Sequence, residues 1–240
     1  MCTVSFLPTA RGFRLAMNRD EKRARAVALP PEVFRCGRRR AIYPRERNGG
    51  TWLAANDAGL CLALINWHTI AREPNEEPES RGRIIPALAG AVEVRAIVRR
   101  LNATPLLNSR PFRLLVFDSR HKAIVELRWD LAELSVREHP WRVQHWFSSG
   151  YDEPGVERAR GQICATWRAS LGKSAAALKK LHASHLPRRG PFSICMHRAD
   201  AATLSYSEVS CSDRRVTLRY SPGPPCQGRD RITKSLSLRL

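Results

Sequence analysis

Cys2 follows Met1 directly and opens the alternating run Cys2-Thr3-Val4-Ser5-Phe6-Leu7. A small side chain in the second position favours removal of Met1. Cys2 would then carry a thiol nucleophile and, one carbon away, a free α-amine. The reference pKa of such an amine is about 7.7–8.0, so a useful fraction is unprotonated at neutral pH and can accept the thiol proton. Nucleophile and base would then share one residue. Two strands deliver further groups to the same place. Pro8-Thr9-Ala10-Arg11-Gly12 reads as a turn, Phe13-Arg14-Leu15-Ala16-Met17 resumes the strand pattern, and Asn18-Arg19-Asp20-Glu21 follows. Antiparallel pairing across that turn sets Arg19 and Asp20 beside the start of the chain. A carboxylate there holds the amine, and a guanidinium favours the thiolate. The same residues also read as the opening of a solvated charge run from Asn18 to Arg25.

The 240 residues suffice for one sizeable domain. A single domain is expected over 1–221 and a flexible tail over 222–240, rich in Pro, Ser and Arg. No apolar run is long enough to cross a membrane, and the start lacks the pattern of a secretory signal. The seven cysteines are spread along the chain without a C-x-x-C pair, which fits a reducing cytoplasm better than a disulfide framework or a zinc site. The formal charge is +19, from 41 basic and 22 acidic residues. Such a field attracts anions, yet the arginines are scattered and no aromatic-basic recognition motif is present. No specific nucleic-acid partner is expected. A small-molecule substrate, with an anionic form suiting the arginines, is the expected partner. The sequence leaves the oligomeric state open.

Strands are expected at 2–7, 13–17, 51–55, 60–66, 112–118, 122–129, 141–147, 192–197, 202–209 and 214–220. The segment 22–48 reads as an irregular excursion, and 71–83 as a polar loop leading towards a helix. Helical spacing marks 88–101 and also 155–186, the latter interrupted at Gly172. His182 and His185 read as a surface pair on that helix rather than as metal ligands. His145 is either pocket-lining or half-buried in its strand, and His197 falls near an expected strand end. Trp52, Trp67 and Trp146 are assigned to packing.

Met1-Cys2-Thr3 with Asn18-Arg19-Asp20-Glu21 resembles the NRDE family, also called the transport and Golgi organisation protein 2 family. Family-like blocks follow at Gly49-Gly50-Thr51-Trp52-Leu53-Ala54-Ala55-Asn56, Leu64-Ile65-Asn66, Ser80-Arg81-Gly82 and Pro111-Phe112-Arg113-Leu114-Leu115-Val116. The resemblance implies an α+β fold, a four-layer αββα N-terminal nucleophile hydrolase-like sandwich of two antiparallel sheets. A more distant similarity runs to the choloylglycine hydrolase and penicillin V acylase group, through Asn56-Asp57-Ala58-Gly59-Leu60-Cys61-Leu62-Ala63-Leu64-Ile65-Asn66. It implies Cys2 as nucleophile, Arg19 beside it, Asp20 or Glu21 as the carboxylate, and the Asn66 backbone N–H as an oxyanion donor. Arg198 is the candidate for a late arginine near the nucleophile. Ser149 stands where the acylases place a second oxyanion Asn. A hydroxyl reaches less far than an amide, and losing one such donor costs about 100–1,000-fold in rate. The departure leaves open a slow amidase, a different donor, or a protein that is not a hydrolase.

Two functional classes follow. One is an N-terminal cysteine hydrolase of a linear amide or related acyl bond, needing no metal or organic cofactor. The other is a non-catalytic carrier on the same fold, handling haem or a lipid or acyl-CoA.

Overall fold

The structure is a computed structural model and describes residues 2–74, 76–170 and 174–239. Strands β1 (Cys2–Thr9) and β2 (Gly12–Lys22) form the expected hairpin, with Cys2 opposite Arg19. Gly12 makes it fit: its φ is +144°, and a Cβ there would lie 2.1 Å from the Cys211 carbonyl oxygen. A second hairpin, β3 (Leu29–Cys36) and β4 (Arg39–Arg45), is followed by β5 (Leu53–Asn56) and β6 (Leu60–Asn66). A 3-10 turn at Arg81–Arg83 leads into α1 (Ile84–Leu88), and α2 (Val94–Asn102) comes next. Strands β7 (Phe112–Asp118), β8 (Ala123–Trp129), β9 (Leu134–His139) and β10 (Gln144–Ser148) precede helices α3 (Glu153–Ser170) and α4 (Ala175–His182). The chain finishes with β11 (Ala201–Cys211), β12 (Arg215–Pro222) and β13 (Ile232–Ser237).

The strands build two antiparallel sheets, ordered β10-β1-β2-β11-β12-β13 and β3-β4-β5-β6-β7-β8-β9. Side-chain alternation then sorts residues into layers. Cys2, Val4 and Phe6 from one sheet meet Ile65, Leu115 and Phe117 from the other in the central core. The outer face of the seven-stranded sheet packs Leu62, Leu64 and Val116 against Ile85 and Ile97 of α1 and α2. Leu7 and Ala16, on the outer face of the six-stranded sheet, pack against Trp167 and Leu178 of α3 and α4. The result is the four-layer αββα sandwich.

Several expectations need correction. The segment 22–48 is not irregular but carries the β3–β4 hairpin, held by stacking of Phe34 on Tyr43 with ring centroids 4.1 Å apart. The helix expected at 88–101 starts only at Val94, after α1 has ended at Leu88, and Asn56 Nδ2 donates to the Ala89 and Ala91 carbonyls in the intervening turn. Residues 192–197 form no strand: β11 takes the place beside β2, leaving only an isolated bridge at His197. The segment 222–240 contains β13, paired along β12 from Tyr220↔Ile232 to Arg215↔Ser237, so the expected flexible tail is corrected over that stretch. The break at Gly172 lies outside the described residues. No described helix is long and apolar enough to cross a membrane.

Candidate active site

Cys2 opens an interior strand, opposite Arg19 of β2 on one side and Ser148 of β10 on the other. Its side chain faces the central core and is 6 % exposed. Burial pushes the thiol pKa up, and so does the Asp20 charge. Against these act the Arg19 charge and a hydrogen bond donated to the thiol by the Asp20 backbone N–H.

Arg19 shares Cys2's face of the sheet, as directly opposed residues do. Its guanidinium lies over the Trp52 ring, 4.4 Å from the centroid, and pairs with Glu46 and, at 3.9 Å, with Glu21. Asp20 points to the opposite face, fully buried. It accepts a hydrogen bond from Thr203 Oγ1 at 2.6 Å and one from Arg160 Nη1 at 3.3 Å. Burial raises the Asp20 pKa, and Arg160 and Thr203 oppose the rise only in part. Glu21 is half-buried. Desolvation there is outweighed by the Lys22 N–H, Arg19 and Arg25, so its carboxyl is lowered. The two carboxylates offered by the sequence thus flank the start of β1 from opposite faces.

Asn66 ends β6. Trp67 N donates to the Pro111 carbonyl, so ladder alternation turns the Asn66 N–H away from β7. It turns to the side from which β5 has departed after the bond from Leu64 N to Trp52 O. Ser149 is buried just past β10. Its N–H donates to Glu153 Oε1 at 3.2 Å, and its hydroxyl oxygen accepts the Tyr151 N–H at 3.2 Å. Glu153 also accepts the Thr69 N–H at 2.6 Å, tying the loop after β6 to the end of β10. His68 stands against Gly150, where a Cβ would meet the ring at 3.2 Å. Desolvation and the Arg81 charge hold His68 at about 4, so it is neutral. Arg81 donates to the Pro111 carbonyl and is lowered to about 10 by burial, with Arg110 adding repulsion and Cys2 among the groups acting on it.

Arg198 pairs with Asp200 at 2.8 Å and lies over the Tyr151 ring at 5.0 Å, which places it beside the Ser149 turn. Among the described residues no hydrogen bond or ion pair joins it to Cys2, Arg19, Asp20 or Asn66. The sequence reading missed Arg160, Thr203, Glu153 and Glu46. It also took His182 for a surface residue, whereas this side chain is fully buried on Asn18 and Ser5. Two surface depressions have linings that do not include Cys2. One is lined by Arg72, Glu73, Pro74, Glu76 and Leu107, the other by Arg38, Arg39, Arg100 and Arg239.

The layering is that of the N-terminal nucleophile hydrolase-like fold. The family model described as Transport and Golgi organisation 2 matches residues 1–141, and the chain belongs to that family. No curated protein sequence matches it. Among solved structures, a cysteine-to-alanine mutant of conjugated bile acid hydrolase from Clostridium perfringens is similar at 10 % identity and a TM-score of 0.59, covering 100 % of this chain and 97 % of that one. An arginine-to-leucine variant of the same hydrolase gives 12 %, 0.54, 100 % and 97 %. Penicillin V acylase from Agrobacterium tumefaciens gives 12 % identity and a TM-score of 0.50, covering 92 % of this chain and 83 % of that one.

Proposed function

We propose that this protein is an N-terminal cysteine hydrolase of a linear amide or related acyl bond. The observation that carries the reading is the buried Cys2 thiol, set opposite Arg19 at the start of an interior strand. Loss of Met1 frees the Cys2 α-amine, which Asp20 holds. The amine takes the thiol proton and the sulfur attacks the acyl carbon. The carbonyl electron pair moves onto oxygen, where the Asn66 N–H stabilises it and the Ser149 hydroxyl is the candidate second donor. Collapse forms the thioester and expels the amine, which leaves with the proton held by the α-ammonium. Water, deprotonated by the same α-amine, attacks the thioester and releases the acid and the thiol. Arg81, still protonated at neutral pH, and Arg198 at the Tyr151 rim suit an anionic substrate.

Intact mass and acyl labelling test this. The expected result is a mass lacking Met1, and stoichiometric acylation near neutral pH that Cys2→Ala abolishes and Cys61→Ala does not. Retention of Met1, or labelling indifferent to Cys2→Ala, overturns the hydrolase and leaves the carrier reading.

A further inference from the structure

A second chemistry-bearing cluster lies outside the Cys2 site. His185 follows α4, Cys195 and His197 lie in the irregular segment that replaces the expected strand, and Cys226 sits in the 3-10 turn Pro225–Gln227 after β12. One ligand atom from each of the four lies within 4.8 Å of all the others. Both Cys195 Sγ and Cys226 Sγ stand 3.5 Å from His197 Nε2. The His185 ring centroid is 5.1 Å from that of His197. Its Nε2 is buried and has no hydrogen-bond partner among the described residues.

These distances match a metal polyhedron. Zinc binds thiolate sulfur at about 2.3 Å and imidazole nitrogen at about 2.0–2.1 Å, so a tetrahedron has sulfur-to-nitrogen edges of about 3.5 Å. Two such edges are present here. We propose that His185, Cys195, His197 and Cys226 form a tetrahedral zinc site. Four protein ligands fill the coordination sphere, which makes the site structural rather than catalytic. The cysteines bind as thiolates and release their protons to solvent. With His197 bound through Nε2, its Nδ1 carries the ring proton, so exposed Arg189 gives up its 3.3 Å contact there.

The ion would pin three chain segments that share no ladder. It would also reach the Cys2 site through Met196, which lies between two of the ligands. Met196 N donates to Thr203 Oγ1 at 2.9 Å and Met196 O accepts Thr203 N–H at 2.9 Å, while Thr203 Oγ1 donates to Asp20. Holding Cys195 and His197 therefore holds the hydroxyl that orients Asp20.

The test uses the full chain produced in zinc-supplemented medium and purified without chelator. About one zinc per chain is expected, with two thiols shielded from a thiol reagent until chelator is added. Cobalt-exchanged protein should show thiolate-to-cobalt charge transfer and tetrahedral visible bands. Cys226→Ser, on an exposed turn, and His185→Ala should each lose the zinc, whereas Cys36→Ser should keep it. Chelator should lower the Tm of the wild type and leave that of Cys226→Ser unchanged. Metal-free wild-type protein, zinc unchanged in both ligand variants, stoichiometric iron or copper instead, or a Cys195–Cys226 disulfide seen as a mass short by two hydrogens would each overturn the assignment.

Discussion

Arg160 Nη1 lies 3.3 Å from Asp20 Oδ2, with both side chains fully buried. The guanidinium also donates to Thr3 Oγ1 at 2.6 Å and to the Pro191 carbonyl at 3.2 Å, so one helix residue fastens the β1–β2 hairpin to the irregular segment. Removing one partner of a buried ion pair costs about 3–5 kcal/mol, because the other charge stays desolvated. Arg160→Met should lose about that much in urea unfolding, and Arg160→Met with Asp20→Asn should recover part of it. Equal costs for the single and double variants would show that Asp20 is not what Arg160 compensates.

His182 and His145 predict acid sensitivity near neutrality. Asn18 Nδ2 donates to the His182 and Ile194 carbonyls, which fixes Asn18 Oδ1 as the acceptor for His182 Nδ1–H. His182 Nε2 then accepts from Ser5, which accepts from His145 Nδ1. Burial pushes His182 down to about 3 and His145 to about 4. Between about pH 6.5 and 3 the unfolded chain binds protons that the folded chain refuses, so stability rises with pH across that window. The His182 contribution is on the order of 5 kcal/mol. His182→Gln should flatten the pH dependence of unfolding there; an unchanged slope would refute the assignment.

Glu126 acts lower on the pH scale. Burial opposes its ionisation, yet Arg128, Arg113 and His139 surround it and bring its pKa to about 2. A depressed carboxyl stabilises above its unfolded pKa of about 4.5 and loses that stabilisation as pH falls towards 2. Its share is on the order of 3 kcal/mol. Glu126→Gln should destabilise at pH 7 and be close to neutral at pH 2, measured by denaturant midpoint.

Gly82 should not tolerate a methyl group. Gly50 and Gly82 meet backbone to backbone, Thr51 N donates to the Gly82 carbonyl, and a Cβ on Gly82 would lie 3.1 Å from Gly50 Cα. Gly82→Ala should cost about 1–3 kcal/mol by overpacking and displace Arg81 with it. An unchanged melting temperature would show that the contact relaxes freely.

Glu153 joins the loop after Asn66 to the Ser149 turn. Glu153→Gln keeps the shape but turns one acceptor oxygen into a donor facing N–H groups. The mispaired donor should cost about 1–3 kcal/mol of stability, and under the hydrolase reading the variant should lower kcat more than it raises KM at a temperature where it is still folded. A change confined to KM would mean that the staple positions substrate rather than the oxyanion donors.

Most interior strands were legible in the sequence, whereas the edge strands β3, β9 and β13, and β4 beside β3, were not. Strands β6 and β7 span the residues that alternation marks, because both faces are covered and apolar residues run through them. Strand β9 carries Arg137 and Glu138 and is mostly exposed at the sheet edge, while β13 has only Ile232 and Leu236 as apolar residues, and of these only Leu236 is buried. Such edges offer only two apolar residues to a face, too few to read as a strand. Arg160 did carry a signal: it lies on the same α3 stripe as Val156, Cys164 and Trp167, and a charge at that spacing on a buried face requires a partner. The His185–Cys226 cluster had none, since only the packing of three distant segments brings its ligands together.

The neighbours of β1 arrive late in synthesis. Strand β2 follows at once, but β10 ends at Ser148, and β11, which buries the far edge of β2, ends at Cys211. At about 5–20 residues per second, a ribosome needs roughly 10–40 s to make those segments. Throughout that interval β1 lacks β10, and β2 lacks β11 on its far side, so the start of β1 takes its interior place only after both have been made.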